Sequence, residues 1–293
     1  MVGETVIDLV ERDGVSTEHV GGSPANVALT LARLGHPVRF VTDLAEDERG
    51  ARAQQHLAAS AVRVEFRPVS RTSTAEARLQ ADGSAKYTVD ISFNPRAVEP
   101  GDATHVYTGS IAAFLPPSAQ VVRALLEGLP AGVTTSLDPN IRPALIAPPE
   151  TARTTFEALA AGVDIIKLSD EDANWLYPGD PVGAILDRLL SLGAALAVVT
   201  RGGDGMVLAS ATARLTIPAA RINVADTIGS GDSAMGAIID MVVRRGFDNL
   251  NEAALSHIGM WAAQVAGITT SRPGANPPWR EEVTVTAPIV KVL

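Results

Sequence analysis

The sequence predicts an α/β fold with a mainly parallel central sheet flanked by helices. Three observations carry that expectation. Short apolar runs alternate with helical stretches along the chain, the rhythm of β-α-β units. Several of those runs, such as VDIIKL and ALAVVT, are apolar without alternation, as strands covered by helices on both faces are. Finally, 46% of the 293 residues are hydrophobic and only 19% are charged. A chain of this size buries roughly 75% of its unfolded surface, and such a composition argues against disorder.

Taken in order, strand-like runs lie at residues 4–9, 38–41, 105–108, 133–137, 163–168 and 196–200. Helical patterns lie at residues 24–34, 46–59, 118–129, 150–161 and 182–192. The first helix has the clearest signals. Ser23 suits the N-cap, Pro24 the first helical position and Gly35 the end, and Val27, Leu31 and Leu34 give it an apolar face. Residues 74–90 break the β-α rhythm. Ala75, Ala77 and Leu79 alternate with Glu76, Arg78 and Gln80, and Asp82-Gly83 supplies turn residues before a second extended run. That is a hairpin signal, and a projecting hairpin suits a lid over a cleft. Pro116-Pro117, Pro148-Pro149 and Pro277-Pro278 mark loops. The chain reads as one domain over 1–293.

Composition excludes several function classes. A formal net charge of −9 is the wrong balance for a protein that lives on nucleic acid. There is no cysteine, hence no disulfide, thiolate nucleophile or cysteine metal site. The five histidines (19, 36, 56, 105 and 257) show no metal-ligand spacing. No window reaches about 18 uninterrupted apolar residues, so no membrane span is expected. The first residues carry acids from Glu4 onward and lack a basic start, unlike a signal peptide. The expected setting is the cytoplasm. No G-x-x-x-x-G-K-[ST], H-R-D, D-F-G or G-x-S-x-G motif is present, which excludes P-loop and protein kinases and argues against an α/β-hydrolase.

Two glycine turns hold the chemistry. The first, DTIGSGDSAMG, follows an extended run RINVA and opens an apolar helix. Gly229 and Gly231 free the backbone there. Amides at a helix start, with the helix dipole, make an anion site. Asp232 lies in the same turn, where the dipole favours an ionised carboxylate suited to a general base. Two other readings stand beside this one. Asp232 could simply cap the helix, and Gly229 to Ala234 also match G-x-G-x-x-A, the dinucleotide fingerprint. The second turn, Gly21-Gly22-Ser23-Pro24-Ala25-Asn26, suggests close approach of a ligand to the backbone. Asn26 can donate to and accept from a sugar hydroxyl.

Together the turns resemble the paired signatures of the PfkB carbohydrate kinases, the ribokinase-like fold. The resemblance extends over GETVIDL, GGSPANVALTLARLG, LDPNIRP, KLSDED, VTRGGDG, DTIGSGD and SRPGANPP, in that order. It implies an ATP-dependent sugar kinase. Asp232 would be the base, and the amides of Gly229, Ser230 and Gly231 the anion hole. Asp8, Gly21, Gly22 and Asn26 would hold the sugar. Thr200, Gly202, Gly205, Asn140, Arg142 and Lys167 would serve ATP. Asp226, with carbonyls near Gly274-Ala275, resembles the family's monovalent-cation (K⁺) site. Asp172 would stand in the second shell of Mg²⁺. Here the sequence departs from the family's N-x-x-E, reading Ser169-Asp170-Glu171-Asp172. Segments near 11–20 and 70–95 would form the lid, whose edge could pair two copies. DPNIRP, KLSDED and SRPGANPP are most similar to the fructokinase branch, ahead of 2-keto-3-deoxygluconate kinases and ribokinases. A NAD-dependent oxidoreductase built on the G-x-G-x-x-A turn is the alternative of a different class.

Overall fold

A computed structural model describes residues 1–12, 15–79, 85–93, 95, 97–146 and 148–284, with the side chains of all but 10–12, 15, 16, 76–79 and 85–88. The elements run β1 (Val6–Arg12), β2 (Val15–Gly21), α1 (Ser23–Arg33), β3 (Val38–Ala45), α2 (Glu48–Ala58), β4 (Val62–Val69), β5 (Thr74–Leu79) and β6 (Ala85–Asp90). They continue β7 (His105–Gly109), α3 (Ser110–Phe114), α4 (Ser118–Glu127), β8 (Thr134–Asp138), α5 (Pro149–Ala160), β9 (Ile165–Ser169), α6 (Asp170–Leu176), α7 (Val182–Ser191) and β10 (Leu196–Thr200). The chain closes with β11 (Met206–Ala209), β12 (Arg214–Ile217), α8 (Ser230–Arg245) and α9 (Glu252–Thr270).

The central sheet has the order β12-β11-β10-β9-β8-β7. Strands β7 to β10 are mutually parallel, whereas β11 and β12 pair antiparallel at one edge. At the other edge residues 1–3 stitch on the parallel pair β3-β4. Val2 N–H donates to Tyr107 C=O (3.1 Å) and Gly3 N–H to Val41 C=O (3.2 Å).

Side-chain alternation along the strands sorts the core into two layers. Ile165, Leu196 and Val198 pack with Val27, Leu31, Ile238, Val242 and Ile258 of α1, α8 and α9. Ile166, Leu168, Ala197 and Val199 pack with Phe156, Leu159, Leu176, Leu186 and Leu189 of α5, α6 and α7. Residues 165, 167, 196 and 198 therefore share the α8 face. Among the described residues no helix is long and apolar enough to cross a membrane.

A second sheet has the order β2-β1-β5-β6. One face rests on β3, β4 and α2 through Ile7, Leu9, Val20, Leu44, Ala53, Val64 and Phe66. The opposite face presents Asp8 and His19, which are cross-strand partners. The expected hairpin forms, with Thr74 opposite Asp90. Its Asp82-Gly83 turn lies outside the described residues, as do the side chain of Arg78 and its alternation with the alanines.

Three local expectations change. The run 4–9 does not join the central sheet: the chain leaves it after residue 3, and β1 belongs to the second sheet. RINVA is not a strand. At its end, Ala225 and the following Asp226 donate their amides to Thr270 C=O at the end of α9 (2.9 and 3.1 Å). Ser23 is not the cap of α1. Gly22 holds that position with φ 99°, and the Ser23 hydroxyl is used elsewhere.

Candidate active site

Ligands in open α/β sheets bind outside the carboxyl ends of the strands, and the singled-out residues gather there. β8 ends at Asp138, β9 at Ser169 and β10 at Thr200. Beyond β8, Asn140 adopts φ 39°, and Arg142 Nη1 donates to its Oδ1 (2.8 Å). Beyond β10, Gly202 to Asp204 form a 3-10 turn. Gly205 follows at φ 84°, where an added methyl would lie 2.0 Å from Ile217 C=O. Only glycine fits that bend.

The turn before α8 faces the same edge. Gly229 caps the helix in the left-handed region at φ 73°. Ser230 N–H is committed to Thr227 C=O (3.2 Å). Among the described residues no acceptor takes the amides of Gly229, Gly231 and Asp232, so these three are the available donors. Of the amides expected at the anion hole, that of Ser230 is thus engaged within the turn itself. The turn is anchored from α9, where Thr270 Oγ1 donates to Ser230 Oγ (3.0 Å) and Thr269 Oγ1 to Ser233 Oγ (2.9 Å).

Asp232 is half-buried, and both its oxygens are held from α1. Ser23 Oγ donates to Oδ1 (2.6 Å) and Asn26 Nδ2 to Oδ2 (2.8 Å). The two glycine turns, more than two hundred residues apart in sequence, thus meet through a carboxylate. A helix-capping role would need Asp232 to bond its own turn, and it does not. Each oxygen keeps a lone pair for a substrate hydroxyl.

The side of the site toward the second sheet carries Asp8. A methyl on Gly21 would lie 2.0 Å from Asp8 Oδ2, and one on Gly22 would lie 2.8 Å from Glu4 C=O. Both glycines thus meet the protein's own close packing, Gly21 against the Asp8 carboxylate and Gly22 against the backbone of residues 4–6. Burial raises the Asp8 carboxyl to about 6 against the pull of Arg142, with Asp232 adding repulsion and His19 attraction. Arg142, expected at the ATP phosphates, therefore stands within electrostatic reach of Asp8.

The remaining candidates have structural partners. Asp172 caps α6 in a reciprocal box with Ser169 and accepts the Ile141 amide (2.8 Å), fixing the loop that carries Asn140. Asp226 accepts the amides of Ile228 (3.0 Å) and Gly274 (2.8 Å), which brings the 273–276 loop against the glycine turn. Lys167 does not line the open edge; its ammonium is buried and donates to Asp138 Oδ2 (2.7 Å). Sequence reasoning missed Asp138, and missed Ser23 as a partner of Asp232. The signal for Asp138 was a charged residue closing β8, the strand next to the one that carries Lys167. For Ser23 there was none, since a serine before Pro24 reads as a cap.

Comparison with known proteins bears on this arrangement. A model of the pfkB family of carbohydrate kinases matches residues 1–282. A fructokinase of Rhizobium leguminosarum bv. trifolii is 31% identical over 275 residues, covering 86% of this chain and 84% of that protein. The structure of a fructokinase from Vibrio cholerae O395, bound to fructose, ADP and a calcium ion, superposes with a TM-score of 0.79 at 26% identity, over 94% of this chain and 92% of that one. A double-mutant form of that fructokinase, bound to fructose, ADP and a potassium ion, gives 0.79 at 25% identity over the same shares.

Proposed function

We propose that this chain, which belongs to the pfkB family of carbohydrate kinases and is a sugar phosphotransferase of ribokinase-like fold, takes fructose as its acceptor. The observation that carries the mechanism is the double clasp on Asp232, in a turn whose amides at Gly229, Gly231 and Asp232 have no acceptor among the described residues. Phosphoryl transfer needs positioning and charge neutralisation more than covalent chemistry. Asp232 takes the proton of the attacking hydroxyl. The amides of Gly229, Gly231 and Asp232 receive charge on the moving phosphoryl group. Asp8, Gly21, Gly22 and Asn26 orient the sugar. Thr200, Gly202, Gly205 and Asn140 border the nucleotide, and Arg142 bridges the two sides. The Asp inside the G-x-G-x-x-A turn would repel a pyrophosphate laid across it, which disfavours the dinucleotide reading.

The donor set suits a metal that rides on the nucleotide. Among the described residues no group of three metal-ligating side chains forms a cage, and Mg²⁺ characteristically binds through substrate phosphates with few protein ligands. When bound, it would neutralise phosphate charge, with Asp172 holding the adjoining loop. Asp226 and the 274–275 backbone would hold K⁺, a reading supported by the potassium-bound relative. The second sheet would serve as the lid of a single kinase domain and as the surface through which two copies pair. The setting would be cytoplasmic.

Fructose rests on the fructokinase relatives. Arg142 supports a second reading, a sugar acid, because a carboxylate needs a cation beside it. Measuring kcat/KM for fructose, ribose and 2-keto-3-deoxygluconate separates them. A tenfold preference for either competitor, about 1.4 kcal/mol, would overturn fructose and leave the kinase standing.

A further inference from the structure

We propose that Lys167, aligned by Asp138, is a positioning residue that places a buried positive charge beneath the phosphate-binding turn of α8. The inference rests on the sugar kinase reading above. It starts from strand alternation. Ile166 and Leu168 point to the α5–α7 layer, so Lys167 points to the α8 layer, and Asp138, next to Leu137, points the same way on the neighbouring strand. The two meet at 2.7 Å with side chains only 5% and 1% exposed. A methyl group on Gly231 would lie 3.6 Å from Lys167 Nζ. The ammonium therefore sits close beside Gly231, within the turn that opens α8.

A staple between strands does not explain the pair. Strands β8 and β9 are already joined by their ladder. Burying two charges is costly, and apolar replacements of such pairs are often neutral or stabilising. The pair is also poorly satisfied. Among the described residues, buried Asp138 Oδ1 has no hydrogen-bond partner and one of the three ammonium donors is used. Burial alone would lower the Lys167 pKa, and the adjoining Asp138 carboxylate more than offsets this, so the lysine stays charged. A fixed cation at this point adds to the partial positive charge of the helix start. It acts in a water-poor region, where preorganised charge is most effective on developing anionic charge. Its partner is thus the anionic phosphoryl group in flight at the turn to which Gly231 belongs.

The test is steady-state kinetics and thermal unfolding of Lys167→Met and of the double variant Asp138→Leu/Lys167→Met. The double variant should melt at or above the wild-type temperature, because it leaves no buried unpaired charge. Both variants should lose on the order of 10²-fold in kcat, the scale of one lost oxyanion donor. The KM for sugar should change by less than about threefold, as expected when only the transition state loses an interaction. A double variant that folds and keeps wild-type kcat overturns the inference. So does a loss confined to KM. A wild-type protein that phosphorylates no sugar overturns the kinase reading and this inference with it; an active wild type matched by the double variant overturns this inference alone.

Discussion

Asp232 has a side chain held from two directions, and its neighbours set what it can do. Asp232→Asn keeps the size and both contact directions but loses the base. We expect kcat to fall by about 10²–10⁴-fold, the usual effect of a lost general base, with folding intact by circular dichroism. Near-normal turnover would remove Asp232 from the mechanism. At the sugar side, the carboxyl of Asp8 is raised from 3.8 to about 6, first by burial. A raised carboxyl favours the protonated form in the fold. Its contribution to stability is greatest at low pH and is lost as pH rises from near 4 through about 6. Sugar binding follows the opposite sense, because the ionised carboxylate is the better acceptor for hydroxyls. The sugar KM should rise as pH falls through about 6, and Asp8→Asn should flatten that profile. A KM independent of pH in the wild type would show that Asp8 does not hold the sugar.

At the scale of elements, the site depends on how closely the turn before α8 meets the 273–276 loop. At Gly229, with φ 73°, an added methyl would lie 2.6 Å from the Ala275 methyl carbon. Gly229→Ala therefore carries both backbone strain and a collision. Gly132 provides the comparison, because its φ of 89° is similar and nothing lies within 4 Å of an added methyl. Gly132→Ala should cost about 1–2 kcal/mol from strain alone. Gly229→Ala should cost more in urea unfolding and should also lower kcat, since the amides move with the turn. Equal costs at the two positions would mean that the loop yields freely and does not brace the turn. Arg33 holds the same loop from α1, donating to Asn276 Oδ1 (2.6 Å) and Pro277 C=O (2.5 Å).

For the whole molecule, the second sheet reaches the active edge from across the cleft and rests on β3, β4 and α2. A ligand bridging the glycine turn of α8 and the Asp8 face of that sheet should stabilise the folded chain as one unit. At a hundredfold excess over Kd the gain is about 2.7 kcal/mol. Mg-ATP should raise the melting temperature and NAD should leave it unchanged. Fructose with a non-hydrolysable ATP analogue should add a further rise. A rise with NAD alone would return the dinucleotide reading to favour.

The sequence by itself determined the α/β class, the helices around the sheet, the 74–90 hairpin and the two glycine turns. Each rests on local physics: apolar periodicity, the conformational freedom of glycine, and the turn chemistry of proline and aspartate. The family signatures made Asp232 legible as well. Only the tertiary structure decided that Ser23 bonds Asp232 instead of capping α1, that Gly21 makes room for Asp8, and that β1 leaves the central sheet. It also decided that Lys167 meets Asp138 below Gly231 instead of lining the open edge. The physical reason is common to all four. A local pattern shows which residues share a face of a strand or helix, but what lies opposite that face is set by contacts between segments far apart in sequence.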